Sequence, residues 1–207
     1  VRHSADEVGQ GCNAVLGQIA AEEFGVSMDK IKIVWGDTAT SPYFGGGSTS
    51  QRTTYELGNA VRIACQDAKR QIFEVAAMRL DASPNELETK NGKVYVKSAP
   101  SRSIDLTALF SADRAIKAGE YGSFIDPGGE VLGKGVYVQP YTPEDVETGQ
   151  IDSEEAKKGL RLNAFFGYAA EAAEVAVNVE TGEVKVLRFG AAVDMGFPIN
   201  PKGCEQQ

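Results

Sequence analysis

From Gly11 to Phe24 the apolar positions Cys12, Val15, Leu16, Ile19, Ala20 and Phe24 recur at helical spacing, and Gly25 stands where such a helix ends. Ile31, Ile33 and Trp35 alternate with Lys32 and Val34, which predicts a strand. The polar residues 1–8 predict a short strand leading into the first helix. A longer stripe of Leu57, Val61, Ala64, Cys65, Ala68, Ile72, Val75 and Ala76 predicts a helix from about Thr54 to Leu80, ended by Ser83-Pro84. Leu87 to Val96 reads as a β-hairpin around Asn91-Gly92. Ser103 to Phe110 predicts a short helix with Ser103 as its N-cap. Leu162–Val179 and Val184–Val193 read as two strands joined by the turn Glu180-Thr181-Gly182-Glu183.

Helices and hairpins are mixed rather than strictly alternating, and no internal repeat is evident. The fold class predicted is therefore α+β: a mixed sheet and hairpins packed with one long and one shorter helix. Three segments follow: a glycine-loop and helix half over 1–96, a variable loop-rich stretch over 97–160, and a hairpin segment over 161–207. Residues 119–160 carry Gly128-Gly129, Pro127, Pro140, Pro143 and an acidic run from Glu144 to Glu155, the composition of a solvated surface segment.

The 207 residues suit one domain or two small ones in close contact. A net charge of -8 argues against nucleic acid and anionic membranes as main partners. It leaves a small anionic ligand open, because local donors decide that. Cys12, Cys65 and Cys204 are far apart, which excludes a disulfide framework or CxxC site and points to a reducing, cytoplasmic compartment. With His3 as the single histidine, a protein-ligated zinc site is not expected. No apolar run approaches the ~20 residues that span a bilayer, and no signal-peptide pattern is present. The chain begins without Met and stops at Gln207, soon after Ile199-Asn200-Pro201, as a piece of a larger protein would.

Two polar glycine-rich turns carry the chemistry. The first is Gly9-Gln10-Gly11, opening the first helix. The second runs from Gly45 through Gly46, Gly47, Ser48, Thr49, Ser50, Gln51, Arg52 and Thr53 to Thr54, opening the long helix. Glycines let main-chain N–H groups approach a ligand, and a helix start adds unsatisfied donors and a positive dipole end. Hydroxyls can surround phosphate oxygens, and Arg52 can pair with them bidentately. Both turns are therefore expected to converge on one phosphate-bearing ligand. Gly9-Gln10-Gly11-Cys12-Asn13-Ala14 formally fits a dinucleotide-binding fingerprint, with Asp37 at a tolerable distance. The context argues against it, since Arg2, His3, Ser4, Asp6 and Glu7 precede it where a buried apolar strand belongs. No Gly-Lys-Ser/Thr is present for a P-loop. The bland readings are a structural turn for the first loop and an ordinary N-cap for the second. Three cysteines read as packing residues, His3 as incidental, Asp194 as a turn residue, and Glu171 with Glu174 as a possible buried carboxylate pair.

In this order, Glu7-Val8-Gly9-Gln10-Gly11, Trp35-Gly36-Asp37-Thr38 and the Gly45–Thr54 loop with Gly58-Asn59-Ala60-Val61 resemble the molybdenum-binding subunit of molybdenum hydroxylases. This is the xanthine dehydrogenase and aldehyde oxidase family, with carbon monoxide dehydrogenase large subunits and 4-hydroxybenzoyl-CoA reductase. Ala173-Glu174-Val175-Ala176-Val177 with Glu180-Thr181-Gly182-Glu183-Val184 resembles the family's hairpin, and Asp194-Met195-Gly196 through Ile199-Asn200-Pro201 its Asp-x-Gly to Ile-Asn-Pro segment. The likeness covers nearly the whole chain and weakens over 97–160. Cys204-Glu205-Gln206-Gln207 departs at two positions from the family's Val-Glu-Gly-Gln segment.

The resemblance implies a molybdopterin cofactor carrying molybdenum, as its cytosine dinucleotide in bacteria. It implies that Gly9, Gln10 and Gly11 meet the pterin and phosphate region. It likewise implies that Thr49, Ser50, Gln51, Arg52, Thr53 and Thr54 line the pyrophosphate or pterin side. The intact enzyme it implies oxidises or hydroxylates an aldehyde, a purine or other N-heterocycle, or an aromatic acyl-CoA, with oxygen from water. Its partners are the rest of the molybdenum subunit and iron–sulfur and flavin subunits or domains. The family's basic glutamate sits in a Gly-Val-Gly-Glu segment that this chain lacks, so no catalytic residue is assigned here. The isolated piece is expected to be inactive and at best a weak cofactor binder. Outside the resemblance, a nucleotide-binding module without molybdenum and a purely structural domain stay open.

Overall fold

The computed structural model describes residues 1–43, 47–49, 51–110, 131–138 and 167–206. The chain divides into two compact units: Val1–Val138 with Ile199–Gln207, and Gln139–Pro198. Phe44, Gly45, Gly46, Ser50 and Gln207 lie outside the described residues, as do the acidic run 144–155, Gly128-Gly129 and Pro127, Pro140 and Pro143.

In the first unit, helix α1 (Cys12–Phe24) packs on the long helix α2 (Gly58–Leu80). Leu16 and Ala20 of α1 meet Val61 and Cys65 of α2, flanked by Ile19, Phe24, Leu57, Val1 and Ile31. Arg62 pairs with Glu23 at 3.2 Å, and Lys69 donates to the Glu23 carbonyl at 2.8 Å, placing a cation at the negative end of α1. The C-terminal half of α2 carries the second part of the core. Ile72, Val75, Ala76 and Ala77 pack with Leu87, Val94, Val96 and Leu109. Those residues come from an antiparallel sheet of β1 (Leu87–Lys90), β2 (Lys93–Val96) and β3 (Ala99–Asp105), and from the short α3 (Leu106–Leu109). Phe24 touches both clusters and joins them.

The β1–β2 hairpin turns through Asn91 and Gly92 at φ 51 and 73, the left-handed pair that Asn-Gly favours. Two elements differ from expectation. Residues 31–35 form no ladder: the N-terminal residues reach them through one parallel bridge, Arg2 to Val34, with His3 N donating to Val34 O at 3.1 Å. Residues 99–105 are a strand, and α3 starts after Asp105 rather than Ser103.

Within the 119–160 stretch, Val131–Val138 lies as an extended strap along α2. Gln71 holds Leu132 by both amide groups, accepting from its N–H at 3.3 Å and donating to its C=O at 3.0 Å. Lys134 N donates to Asp67 Oδ2 at 3.2 Å. Tyr137 and Tyr55 hydroxyls are 2.9 Å apart, with their rings edge to face.

The second unit contributes a two-stranded antiparallel hairpin, β4 (Tyr168–Val177) with β5 (Val184–Asp194). Asn178 Oδ1 accepts from the Glu180 and Thr181 amides and shapes the turn between them. One face places Ala173 opposite Phe189, Val175 opposite Val186 and Val177 opposite Val184. The other places Glu174 opposite Arg188, 3.5 Å apart. Glu171 and Glu174 are exposed, which corrects the expectation of a buried pair. Asp194 closes a turn by accepting from Gly196 N at 2.9 Å. Back in the first unit, α4 (Pro201–Gln206) opens on Asn200, whose side chain accepts from Gly203 N.

Candidate functional site

The first turn is held by a group from just upstream. Glu7 Oε1 accepts from Gly9 N at 3.1 Å and Gly11 N at 3.0 Å. Its Oε2 accepts from Asn13 N at 3.0 Å and lies 3.4 Å from the Cys12 thiol. Gly11 is the N-cap of α1, in the left-handed region at φ 77, and has no side chain with which to cap. Glu7 supplies the missing acceptor. The Asn13 amide first, then those of Gly11 and Gly9, hold the Glu7 carboxyl below its usual range. Burial and the neighbouring carboxylate push the Cys12 thiol up to about 11, so it packs as a neutral group.

The Gln10 side chain folds back within its own turn. Its Nε2 donates to Asp6 O at 2.8 Å and its Oε1 accepts from Val8 N at 2.7 Å. His3 is buried, not incidental. Its Nδ1 accepts from Ala5 N at 3.2 Å, and its Nε2 is buried without a hydrogen bond of good geometry. Burial pushes the imidazole below its ordinary pKa, against a smaller opposing effect of the Asn13 side chain.

The second turn breaks two local rules. Gln51 takes a left-handed conformation at φ 58, unusual for a residue with a side chain. Arg52 N closes the turn on Thr49 O at 2.9 Å. A π-helical turn, Thr53–Leu57, then precedes α2, with the Gly58 amide donating back to the Thr53 carbonyl. Arg52 engages Glu56 with both carboxylate oxygens, at 3.0 and 3.1 Å. Its bidentate capacity, expected to serve a phosphate, is thus directed to a neighbour one helical turn on. Thr53 is buried with its hydroxyl 3.3 Å from Ser48 Oγ. Thr49, Gln51 and Thr54 are exposed.

The two turns meet at one main-chain carbonyl. Asp6 O accepts from Gln10 Nε2 of the first turn and, at 2.9 Å, from Ser48 Oγ of the second. A carbonyl has two lone pairs, so both are filled, one from each turn. Ser4 Oγ also donates to Pro42 O. Gly9, Gln10 and Gly11 therefore sit beside Ser48, Thr49 and Thr53. Sequence reasoning left out Asp6, Glu7 and Glu56. The last was readable from its i,i+4 spacing to Arg52.

The assembled surface is neutral, and the Gly9 and Gly11 N–H groups in it are already taken by Glu7. Exposed hydroxyls, the Gln10 amide and the open faces of Gly9, Gly11 and Gly47, where an added Cβ meets nothing within 4 Å, lie beside carboxylates that are already paired. Such a set suits a neutral hydrogen-bonding ligand better than a bare polyanion. Among the described residues no group of three His, Cys, Asp or Glu could hold a metal ion, and no helix is long and apolar enough to cross a membrane.

Residues 1–207 match the family described as molybdopterin cofactor-binding domain. Among relatives, the chain is 28% identical to the 6-hydroxypseudooxynicotine dehydrogenase complex subunit gamma of Paenarthrobacter nicotinovorans, over 97% of this chain and 22% of that protein. It is 28% identical to the carbon monoxide dehydrogenase large chain of Hydrogenophaga pseudoflava, over 96% of this chain and 21% of that one. The solved Cu,Mo-CO dehydrogenase superposes with a TM-score of 0.70 at 26% identity, over 98% of this chain and 22% of that one. The chain thus spans about a fifth of the length of these relatives.

Proposed function

The chain belongs to the molybdopterin cofactor-binding domain family, and from that premise we propose that its two joined turns hold part of a molybdopterin cofactor in a molybdenum-dependent oxidoreductase. The observation that carries this reading is the shared Asp6 carbonyl, which seats Gln10 and Ser48 side by side. In the proposed complex the Gln10 amide and the open main chain of Gly9 and Gly11 meet the pterin. Thr49, Ser50, Gln51, Thr53 and Thr54 line the adjoining side, with Arg52 positioned by Glu56. Strained Gln51 and the π-turn support it, because such departures persist where a fixed local geometry serves a ligand.

When bound, the molybdopterin group supplies metal-centred redox chemistry to a small organic substrate, of the aldehyde, N-heterocycle or acyl-CoA classes. The residues of this chain bind and orient that group. None of them is assigned to the chemical step. A cytosine dinucleotide form, iron–sulfur and flavin partners, and a cytoplasmic location belong to the same proposal.

Gln10→Ala and Thr54→Ala in the full-length protein test it. Both side chains are exposed, so the fold should persist. A hydrogen-bonding partner contributes about 1 kcal/mol or more when a ligand depends on it. Each variant is therefore expected to lower molybdenum and pterin content together, several-fold, Thr54→Ala at unchanged melting temperature and Gln10→Ala with a small drop from its lost bonds to Asp6 O and Val8 N. Unchanged content in both would favour a structural role for the two turns.

A further inference from the structure

The N-terminus of α1 already has its anion. The amides of Gly9, Gly11 and Asn13 are the donors a phosphate would seek at a helix start, and all three point to Glu7 at 3.0–3.1 Å. With the Cys12 thiol at 3.4 Å, four donors face two carboxylate oxygens, which have room for about four. A phosphate placed there would have to expel Glu7 and then sit beside it.

We propose that Glu7 is a positioning residue: a built-in anion that presets the Gly9–Gly11 turn and denies the α1 N-terminus to phosphate. Its first half stands on the hydrogen bonds alone, and its second rests on the cofactor reading. Gly11 in the left-handed region cannot cap the helix itself, and among the described residues Glu7 is the side chain that satisfies these amides at once. The consequence is a division of labour. Glu7 neutralises the helix end, and the first turn meets the ligand through Gln10 and open main chain.

Anion replacement tests this. In full-length protein, Glu7→Ala should lower the melting temperature in sodium chloride. Sodium formate at equal ionic strength should restore it saturably, by refilling the vacated carboxylate position. Inorganic phosphate should do the same for Glu7→Ala and leave the wild type unmoved. Glu7→Gln, which keeps one acceptor oxygen, should melt between the two and supplies the comparison if Glu7→Ala does not accumulate. Molybdenum and pterin content should be lower in Glu7→Ala as isolated than in the wild type. Wild-type melting in Glu7→Ala or Glu7→Gln, or formate raising every protein alike, would overturn the proposal. Absence of pterin from the wild type would sink the cofactor reading instead, and the formate response would still report on Glu7.

Discussion

Truncating Leu16 to alanine should weaken the packing of α1 on α2 by about 3 kcal/mol, within the usual span for a fully buried leucine. Leu16 is 0% exposed and sits in the cluster with Ala20, Val61 and Cys65. The cluster is also the floor of the candidate site. Leu57, which ends the π-turn behind the second loop, packs against it, as do Val1 and Ile31, whose segments are joined by Val1 bonds to Lys32 and Val34. Amide hydrogen exchange in the full-length protein reads the effect. Protection along α1 should fall roughly a hundredfold, the factor that about 3 kcal/mol implies. Cofactor content should decline with it, since both turns are anchored through this cluster. Unchanged protection in α1 would mean that Leu16 is not the keystone of this contact.

The second large effect is expected at Gly135. The strap crosses α2 where the helix presents Ala60, Ala64 and Ala68. A Cβ on Gly135 would stand 1.9 Å from Ala60 O and 2.6 Å from Ala64 N, and one on Gly133 would stand 2.0 Å from Ala64 O. These are main-chain atoms of a helix and cannot turn aside. Gly135→Ala should therefore lift the strap from α2, at a cost of about 1–3 kcal/mol for overpacking. The Lys134 amide would lose its Asp67 acceptor, and Tyr137 its contact with Tyr55. Exchange at Lys134 should rise at least tenfold in Gly135→Ala. Lys134→Ala, at an exposed position, should leave the strap in place. A Gly135→Ala protein with wild-type exchange across 131–138 would refute this packing.

The sequence made the two main helices legible because their apolar faces repeat strictly: Leu16 and Ala20 on one, Val61, Cys65, Ala68 and Ile72 on the other. The Asn91-Gly92 hairpin was legible from turn chemistry alone. β3 was hidden by Pro100, Ser101, Arg102 and Ser103. Among the described residues it pairs with β2 alone, and an edge strand tolerates both proline and polar side chains. Trp35 and its neighbours alternate like a strand, but among the described residues they gain a single bridge, Val34 to Arg2. The strap could not be read either, since its glycines fit the alanine stripe of a distant helix. At the candidate site, residue types suggested donors without saying where they point. Gly9 and Gly11 N–H groups close on Glu7, and Arg52 on Glu56, through contacts four residues away or fewer. Local partners of that kind compete with a ligand for the same groups, and only coordinates reveal which prevails.

If Gln10 and the Ser48–Thr54 turn serve one pterin ligand, that ligand should leave the protein on denaturation. Mass spectrometry of the small molecule released from purified full-length protein, with metal analysis on the same sample, tests this most directly. A pterin, as its cytosine dinucleotide, in proportion to molybdenum is the expected result. A flavin or nicotinamide nucleotide in its place, or protein fully loaded with pterin in the Gln10→Ala, Thr54→Ala double variant, would contradict it.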